Sequence, residues 1–219
     1  MIADARNMPT RNIRASDKKQ ERRQAIVTVA TRLFAEYGYA DCDMDRVASE
    51  LKIAKGTLYL YFKGKELLFF ACVDAGMQQL QKIVQQAAMA KSDPLERIGE
   101  AIRAYLQFFA QHTELTELFI QERANFKQRK RPSYFEHRDN MRGPWRELYL
   151  QLQRDGVIRN DIPTERILDT LGSLVYGTMF TNFFVGCSSS LDEQFHSIFA
   201  ILKEGILAKS TRTKKSPRK

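Results

Sequence analysis

Residues 55–68 read Lys-Gly-Thr-Leu-Tyr-Leu-Tyr-Phe-Lys-Gly-Lys-Glu-Leu-Leu, which sets a threonine and two tyrosines among lysines. Leu58 and Phe62 are four apart, so on a helix they share one face and can be buried. Lys55, Gly56, Thr57, Tyr59 and Tyr61 then fall on the other faces. Their chemistry suits a nucleic acid. Hydroxyl and ammonium groups bond phosphate, threonine also reaches base edges, and a glycine lets another backbone come close. A helix so equipped fits a DNA major groove.

The preceding residues supply what must hold such a helix. From residue 22 to 37, Ile26, Val29, Ala30, Leu33, Phe34 and Tyr37 fall at offsets 0, 3, 4, 7, 8 and 11, an amphipathic helix. Gly38 ends it. Asp43 is a good N-cap for a short second helix carrying Met44, Val47, Ala48 and Leu51. Residues 52–54 form the turn into the third. Helix, short helix, turn and recognition helix make a helix-turn-helix unit.

The stretch from Ala25 to Leu68 resembles the tetracycline-repressor (TetR) family of bacterial transcription regulators. The resemblance is carried by Leu33-Phe34-Ala35-Glu36-Tyr37-Gly38-Tyr39, by Arg46-Val47-Ala48, and by Lys55-Gly56-Thr57-Leu58-Tyr59-Leu60-Tyr61-Phe62-Lys63-Gly64-Lys65-Glu66-Leu67. The rest of the chain is similar to the family in helical layout and length. Three positions depart from the usual pattern: Lys52 stands where glycine is usual, and Ala54 and Asp43 where serine or threonine is usual. The resemblance implies an all-α homodimer with Lys55, Gly56, Thr57, Tyr59, Tyr61 and Lys65 at the DNA. It also implies a helical domain that binds a small molecule and dimerises.

The composition agrees with this class. A chain of 219 residues with 43% hydrophobic content has room for one or two domains with real cores. Cys42, Cys72 and Cys187 are odd in number and widely spaced. They give neither a disulfide framework nor a metal-ligand pattern, and a reducing cytoplasm is expected. The net charge is +9; residues 1–23 carry +4 and residues 209–219 carry +6, which leaves −1 for everything between. Basic ends attract phosphate by counterion release, or they simply aid solubility. The expected layout is a basic, disordered arm at 1–20, a helix-turn-helix domain at 21–63, a ligand-binding and dimerisation domain at 64–208, and a basic disordered tail at 209–219. Residues 170–191 lack charge and are long enough for a bilayer. Three glycines and several Thr, Ser and Asn residues favour a buried interface helix over a membrane span.

Helical spacing continues beyond residue 64. One long helix covers 64–89. Asp93, Pro94 and Glu96 start the next, which presents Leu95, Ile98, Ile102, Tyr105, Leu106 and Phe109. Thr113 can cap a further helix. Another runs over 133–154, with Gly143-Pro144 as a kink or break. Pro163 suits the first position of the penultimate helix, and Ser190 with Glu193 forms a capping box for the last.

Catalytic equipment is not found: there is no phosphate-binding glycine loop and no nucleophile elbow. His112, His137 and His196 stand far apart, so each reads as a surface or packing residue. No cofactor is expected. Aromatics dominate the middle of the chain and read either as core or as the wall of an apolar pocket. The pocket candidates are Phe108, Phe119, Phe126, Tyr134, Trp145, Tyr176 and Phe180, with Glu122 among the polar groups. The last two helices carry more apolar surface than one face needs. Leu171, Val175, Phe195, Phe199 and Leu202 are expected to pair with a second subunit as a four-helix bundle. The functional expectation is a repressor that leaves a palindromic double-stranded operator when a small apolar or aromatic effector binds. The alternatives are an activator of the same fold, a sequence-tolerant DNA-binding protein, and an enzyme using the aromatic cavity.

Overall fold

The computed structural model describes residues 10–187 and 189–207, with side chains from residue 16 onward. The described residues fold into helices: α1 (Thr10–Asp41), α2 (Met44–Glu50), α3 (Lys55–Tyr61), α4 (Lys65–Met89), α5 (Pro94–Gln111), α6 (Thr113–Asn125), α7 (Ser133–Asn140), α8 (Arg142–Arg154), α9 (Thr164–Val185) and α10 (Leu191–Ile206). The expected all-α class is thus observed. A single antiparallel bridge pairs Ile158 with Leu207. No described helix is long and apolar enough to cross a membrane. The chain divides into two compact units between Ala75 and Gly76, inside α4; the sequence reading set this boundary at 63/64.

In the first unit, Ile26, Val27, Ala30, Leu33 and Phe34 of α1 are buried with Met44, Val47, Ala48, Leu58, Phe62, Leu68, Phe69, Cys72 and Val73. Phe69 meets Phe34 and Tyr39 edge-on, at ring-centroid distances of 5.3 and 5.1 Å. The α1 stripe differs in two places from the sequence expectation. Val27 is in the core where Val29 is only half-buried, and Tyr37 is 39% exposed. Tyr37 instead lies under the Arg46 guanidinium, 4.0 Å from ring centroid to carbon, a contact that tolerates solvent. Gly38 breaks the helix as expected, with φ 82° and ψ 157°.

The disordered arm expected over 1–20 is corrected for residues 10–20, which form the first turns of α1. After Pro9 that stretch has no glycine or proline and is rich in Arg, Lys, Gln and Ala, residues that cost little in a helix. With the buried part of α1 already helical, each added residue gains a hydrogen bond without a new nucleus. Residues 16–20 are exposed, so no packing is needed to extend them. Residues 1–9 of the arm and the tail at 209–219 lie outside the described residues.

In the second unit, α5 is the central helix and packs against α6, α9 and α10. Asp93 Oδ1 accepts from Glu96 N–H at 2.8 Å and caps it. Two glycines permit close approach: a Cβ on Gly76 would stand 2.7 Å from a Leu115 methyl, and one on Gly99 would stand 3.0 Å from the Phe199 ring. The helix expected over 133–154 is interrupted at Met141, which separates α7 from α8 just before Gly143-Pro144. Two expected caps shift by one position. His112 rather than Thr113 precedes α6, and Pro163 is the N-cap of α9 rather than its first helical residue. The Ser190–Glu193 capping box is present in full.

Candidate DNA interface and effector cavity

The geometry of the turn begins at α2. Asp43 Oδ1 accepts from Arg46 N–H at 2.8 Å, satisfying one orphan donor of the first turn. At the other end, Lys52 N–H reaches Ser49 C=O at 3.0 Å and Ile53 N–H reaches Ala48 C=O at 3.0 Å, the double closure of a Schellman cap. That cap needs a left-handed residue, and Lys52 takes it with φ 53°. Ala54 then starts α3 with an extended backbone and no side-chain cap bond.

Leu58 and Phe62 anchor α3 in the core, with relative exposures of 0% and 4%. The outward side of α3 carries Lys55, Gly56, Tyr59 and Leu60, while Thr57 and Tyr61 are half-buried at its edges. An added Cβ on Gly56 would meet nothing within 4 Å, so this backbone is open to an approaching molecule. Lys55 Nζ donates to Asp45 Oδ2 at 2.6 Å, and this hydrogen bond raises the Lys55 pKa. Its charge is therefore shared with α2.

Lys65 also has contacts within the protein. Its ammonium donates to Ala40 C=O at 3.0 Å and lies 4.5 Å from the Tyr39 ring centroid. It closes the end of α1 with a solvent-exposed hydrogen bond. Sequence reasoning passed over Leu60, which is 73% exposed on the outer face of α3. An apolar side chain there can meet a thymine methyl. Lys52 and Lys63 flank α3 and are exposed; their position on both sides of the helix was the available signal.

The second unit holds a cavity with two adjoining lobes of about 590 and 180 Å³, which share Val84, Tyr105, Arg138, Trp145, Gly172 and Val175. The larger reaches Met77 and Leu80 of α4, the smaller Ile98 and Ile102 of α5 and Leu168 of α9. Of the expected pocket residues, Tyr134 and Trp145 line it. The others do not line these two lobes. Phe119, Tyr176 and Phe180 stack in a ladder with Tyr134 at centroid distances of 4.6 to 5.5 Å, and Phe108 packs on Phe109 at 5.3 Å. Phe126 is buried. Aromatic ladders of this kind fill core volume with favourable edge contacts.

Glu122 is 2% exposed, and its Oε1 accepts from Ser133 N–H at 2.9 Å and Ser133 Oγ–H at 3.0 Å. Its work is to cap the start of α7, where proline at the N-cap position offers no side-chain acceptor. The polar groups at the cavity are others. The Tyr105 and Tyr134 hydroxyls are 2.9 Å apart, and burial pushes the Tyr134 phenol up to about 12 and Tyr105 up as well. Both are neutral hydrogen-bonding groups at ordinary pH. Arg138 donates from Nε and Nη2 to Asp139 Oδ1 at 3.2 and 3.1 Å. Arg142 donates to Asp169 Oδ1 at 2.6 Å and lies 2.7 Å from Glu165 Oε2, and its bond to Asp169 raises its pKa.

Of the five residues expected at a subunit interface, Phe195 and Leu202 are buried within the subunit, while Leu171, Val175 and Phe199 are half-buried. Phe195 and Leu202 are each 5% exposed, Phe199 packs on Gly99, and Leu171 and Val175 line the cavity. Apolar spacing alone marks a buried face but does not say whose atoms bury it. The exposed apolar residues of these helices are instead Leu174, Phe184, Val185 and Ile201.

A helix-turn-helix unit followed by a helical unit with an apolar cavity defines a class of bacterial regulator. The tetR-family description of bacterial regulatory proteins matches residues 26–72, and the tetracyclin repressor-like C-terminal domain matches residues 91–177. The chain belongs to the TetR family. It is 34% identical over 117 residues to the uncharacterized HTH-type transcriptional regulator YerO of Bacillus subtilis (49% of this chain, 40% of that protein). It is 34% identical over 105 residues to the uncharacterized regulator YhgD of the same organism (48% and 54%). The chain thus spans about half the length of the curated relatives it matches. In fold it is similar to the fatty acid degradation regulator FadR from Bacillus halodurans, with a TM-score of 0.71 at 16% identity over 82% of this chain and 93% of that one.

Proposed function

We propose that this protein is a dimeric, effector-responsive DNA-binding regulator that represses transcription from a palindromic operator. The observation that carries the reading is the outward face of α3. It presents Lys55, Gly56, Tyr59 and Leu60 beside Thr57 and Tyr61, on a helix whose other side is locked by Leu58 and Phe62. Hydroxyls and ammonium groups there bond phosphate, and Thr57 and Leu60 read base edges. Two such helices on a two-fold axis would enter successive major grooves about 34–36 Å apart. An effector in the cavity of the second unit would release DNA by binding more tightly to a conformer in which that spacing is lost.

The dimer surface we assign is the exposed stripe of α9 and α10. On α9 it runs through Ser173, Leu174, Gly177, Thr181, Phe184 and Val185, and on α10 through Ser197, Ala200 and Ile201. The small residues allow close helix approach, and the large ones would be buried by a second copy.

The test is fluorescence anisotropy with duplexes tiled across the DNA upstream of the protein's own gene. One inverted repeat should bind at least a thousandfold more tightly than random duplex at the same salt. Tyr59→Phe should weaken all duplexes alike, by about 1 kcal/mol, if that hydroxyl bonds phosphate. Equal affinity for every duplex would refute a specific operator.

A further inference from the structure

The charge pattern of the cavity names the chemistry of its occupant. The two lobes are walled by aliphatic and aromatic side chains, yet Arg97, Arg138 and Arg142 line them and no aspartate or glutamate does. The acids that pair with Arg138 and Arg142 are Asp139, Glu165 and Asp169, none of which lines either lobe. The cavity therefore sees the cationic side of each pair. Arg142 adds a second observation. Its Nε–H is buried and donates to nothing among the described residues, although three contacts, to Asp169 Oδ1, Glu165 C=O and Glu165 Oε2, hold its Nη groups. A buried donor on a charged group without an acceptor is uncommon and favours an incoming acceptor. Asn140, Gln81 and Gln85 complete the polar part of the larger lobe.

Resting on the reading of this cavity as the effector site, we propose that the effector is an amphipathic anion: one acidic group on an apolar body. The acid would lie at Arg138 and Arg142, which line the smaller lobe together. The body would lie along Val84, Ile102, Trp145 and Val175. The larger lobe, about 590 Å³, falls in the range of roughly 300–1,000 Å³ for small-molecule sites, and the smaller, about 180 Å³, adjoins it as room for the acidic group. A neutral hydrocarbon would leave the guanidinium groups facing an apolar surface, and a cation would meet the guanidinium side of the Arg138 and Arg142 ion pairs, with no carboxylate on the cavity wall. The acid discriminates by charge-assisted hydrogen bonds, which are the stronger class.

The protein carries its own reporter, because its single tryptophan, Trp145, lines both lobes. Decanoate and 1-decanol share one apolar body and differ in charge. Each is titrated below its aggregation concentration while Trp145 emission is followed. Decanoate is expected to shift the emission and to bind at least tenfold more tightly than decanol. Arg138→Gln should weaken decanoate about tenfold, leave decanol unchanged, and be rescued in large part by Arg138→Lys; far-UV circular dichroism checks that each variant is folded. Equal affinity for acid and alcohol, or an Arg138→Gln loss that is the same for both, would overturn the anion assignment while leaving the cavity as an effector site. No change in Trp145 emission with either probe would overturn the cavity reading and the assignment together.

Discussion

Replacing Lys65 by methionine separates a structural lysine from a DNA-contacting one. In the structure the Lys65 ammonium donates to the Ala40 carbonyl at 3.0 Å and stands 4.5 Å from the Tyr39 ring centroid. Ala40 lies in the short turn of α1 beyond the break at Gly38, where helix carbonyls lack intrahelical partners. A hydrogen bond from a charged donor contributes about 1.5–3 kcal/mol when shielded. Lys65 is half-buried, so about 1 kcal/mol is the reasonable share. The contact with Tyr39 adds about 0.5 kcal/mol. Methionine keeps the unbranched stem and its packing on the ring, so the loss should be about 1–1.5 kcal/mol. For a chain of this size that lowers Tm by roughly 2–6 °C. Urea unfolding followed by circular dichroism measures the loss. Anisotropy of a labelled duplex at several salt concentrations measures the slope of log affinity against log salt. Our expectation is reduced stability with an unchanged slope. The phosphate-contact reading of the sequence requires the slope to fall by about one unit. A fall of that size with unchanged stability would refute the structural role of Lys65.

Four further outcomes can be checked. Lys52→Gly should stabilise the first unit by about 0.5 kcal/mol: relief of the left-handed strain returns about 1 kcal/mol, and the freer unfolded chain removes part of it. A lower urea midpoint would show instead that the Lys52 side chain anchors the turn. Ile201→Glu should leave each subunit folded, since Ile201 is 73% exposed, but should yield a monomer in analytical ultracentrifugation because the carboxylate would be buried by a second copy; an unchanged dimer would remove α10 from the interface. With a thiol reagent at pH 8, native protein should react at Cys187 alone and denatured protein at all three cysteines. Burial protects Cys42 and Cys72 and pushes the Cys72 thiol up to about 12, so rapid native labelling of Cys72 would contradict its packing. Finally, hydrogen bonds from Arg146 and Arg142 lower the carboxyl pKa values of Glu165 and Asp169, respectively. Their contribution to the α8–α9 contact is therefore present above the usual carboxylate range near pH 4 and is lost as pH falls through the lowered values. Hydrogen exchange at the start of α9 should quicken there in wild type and less in Arg142→Gln; equal acceleration in both would refute the clasp.

Local features were legible in the chain, because their causes lie within a few residues. Asp43, Asp93 and the Ser190–Glu193 pair cap where their side chains meet the next turn's amides, and a cap depends only on residues three apart. Gly38 breaks α1 for the same local reason. The inward anchors Leu58 and Phe62 followed from helical spacing, and with them the outward face of α3. Residues 10–20 differ from the expected disordered arm because a basic, polar stretch without a core partner looks unstructured by composition, while propagation from the buried part of α1 carries the helix to Thr10.

What only the tertiary structure decided is which apolar or charged group meets which neighbour. Phe119, Tyr176 and Phe180 are aromatic like Tyr134 and Trp145, yet of these five the two lobes described are lined by Tyr134 and Trp145. That difference arises from how helices far apart in sequence converge. Leu171 and Phe195 obey the same spacing as Leu174 and Ile201, and only the packing on α5 separates the inner pair from the outer. Glu122 could not be recognised as a cap because Ser133, which it serves, lies eleven residues away across a loop. Lys65 likewise reaches a carbonyl twenty-five residues earlier. Short-range hydrogen bonding and helical periodicity were therefore determined by the sequence itself. The assignment of each buried face, and of the arginines that line the cavity, waited on long-range packing, because one amphipathic stripe is satisfied equally by its own subunit, by a ligand or by a second chain.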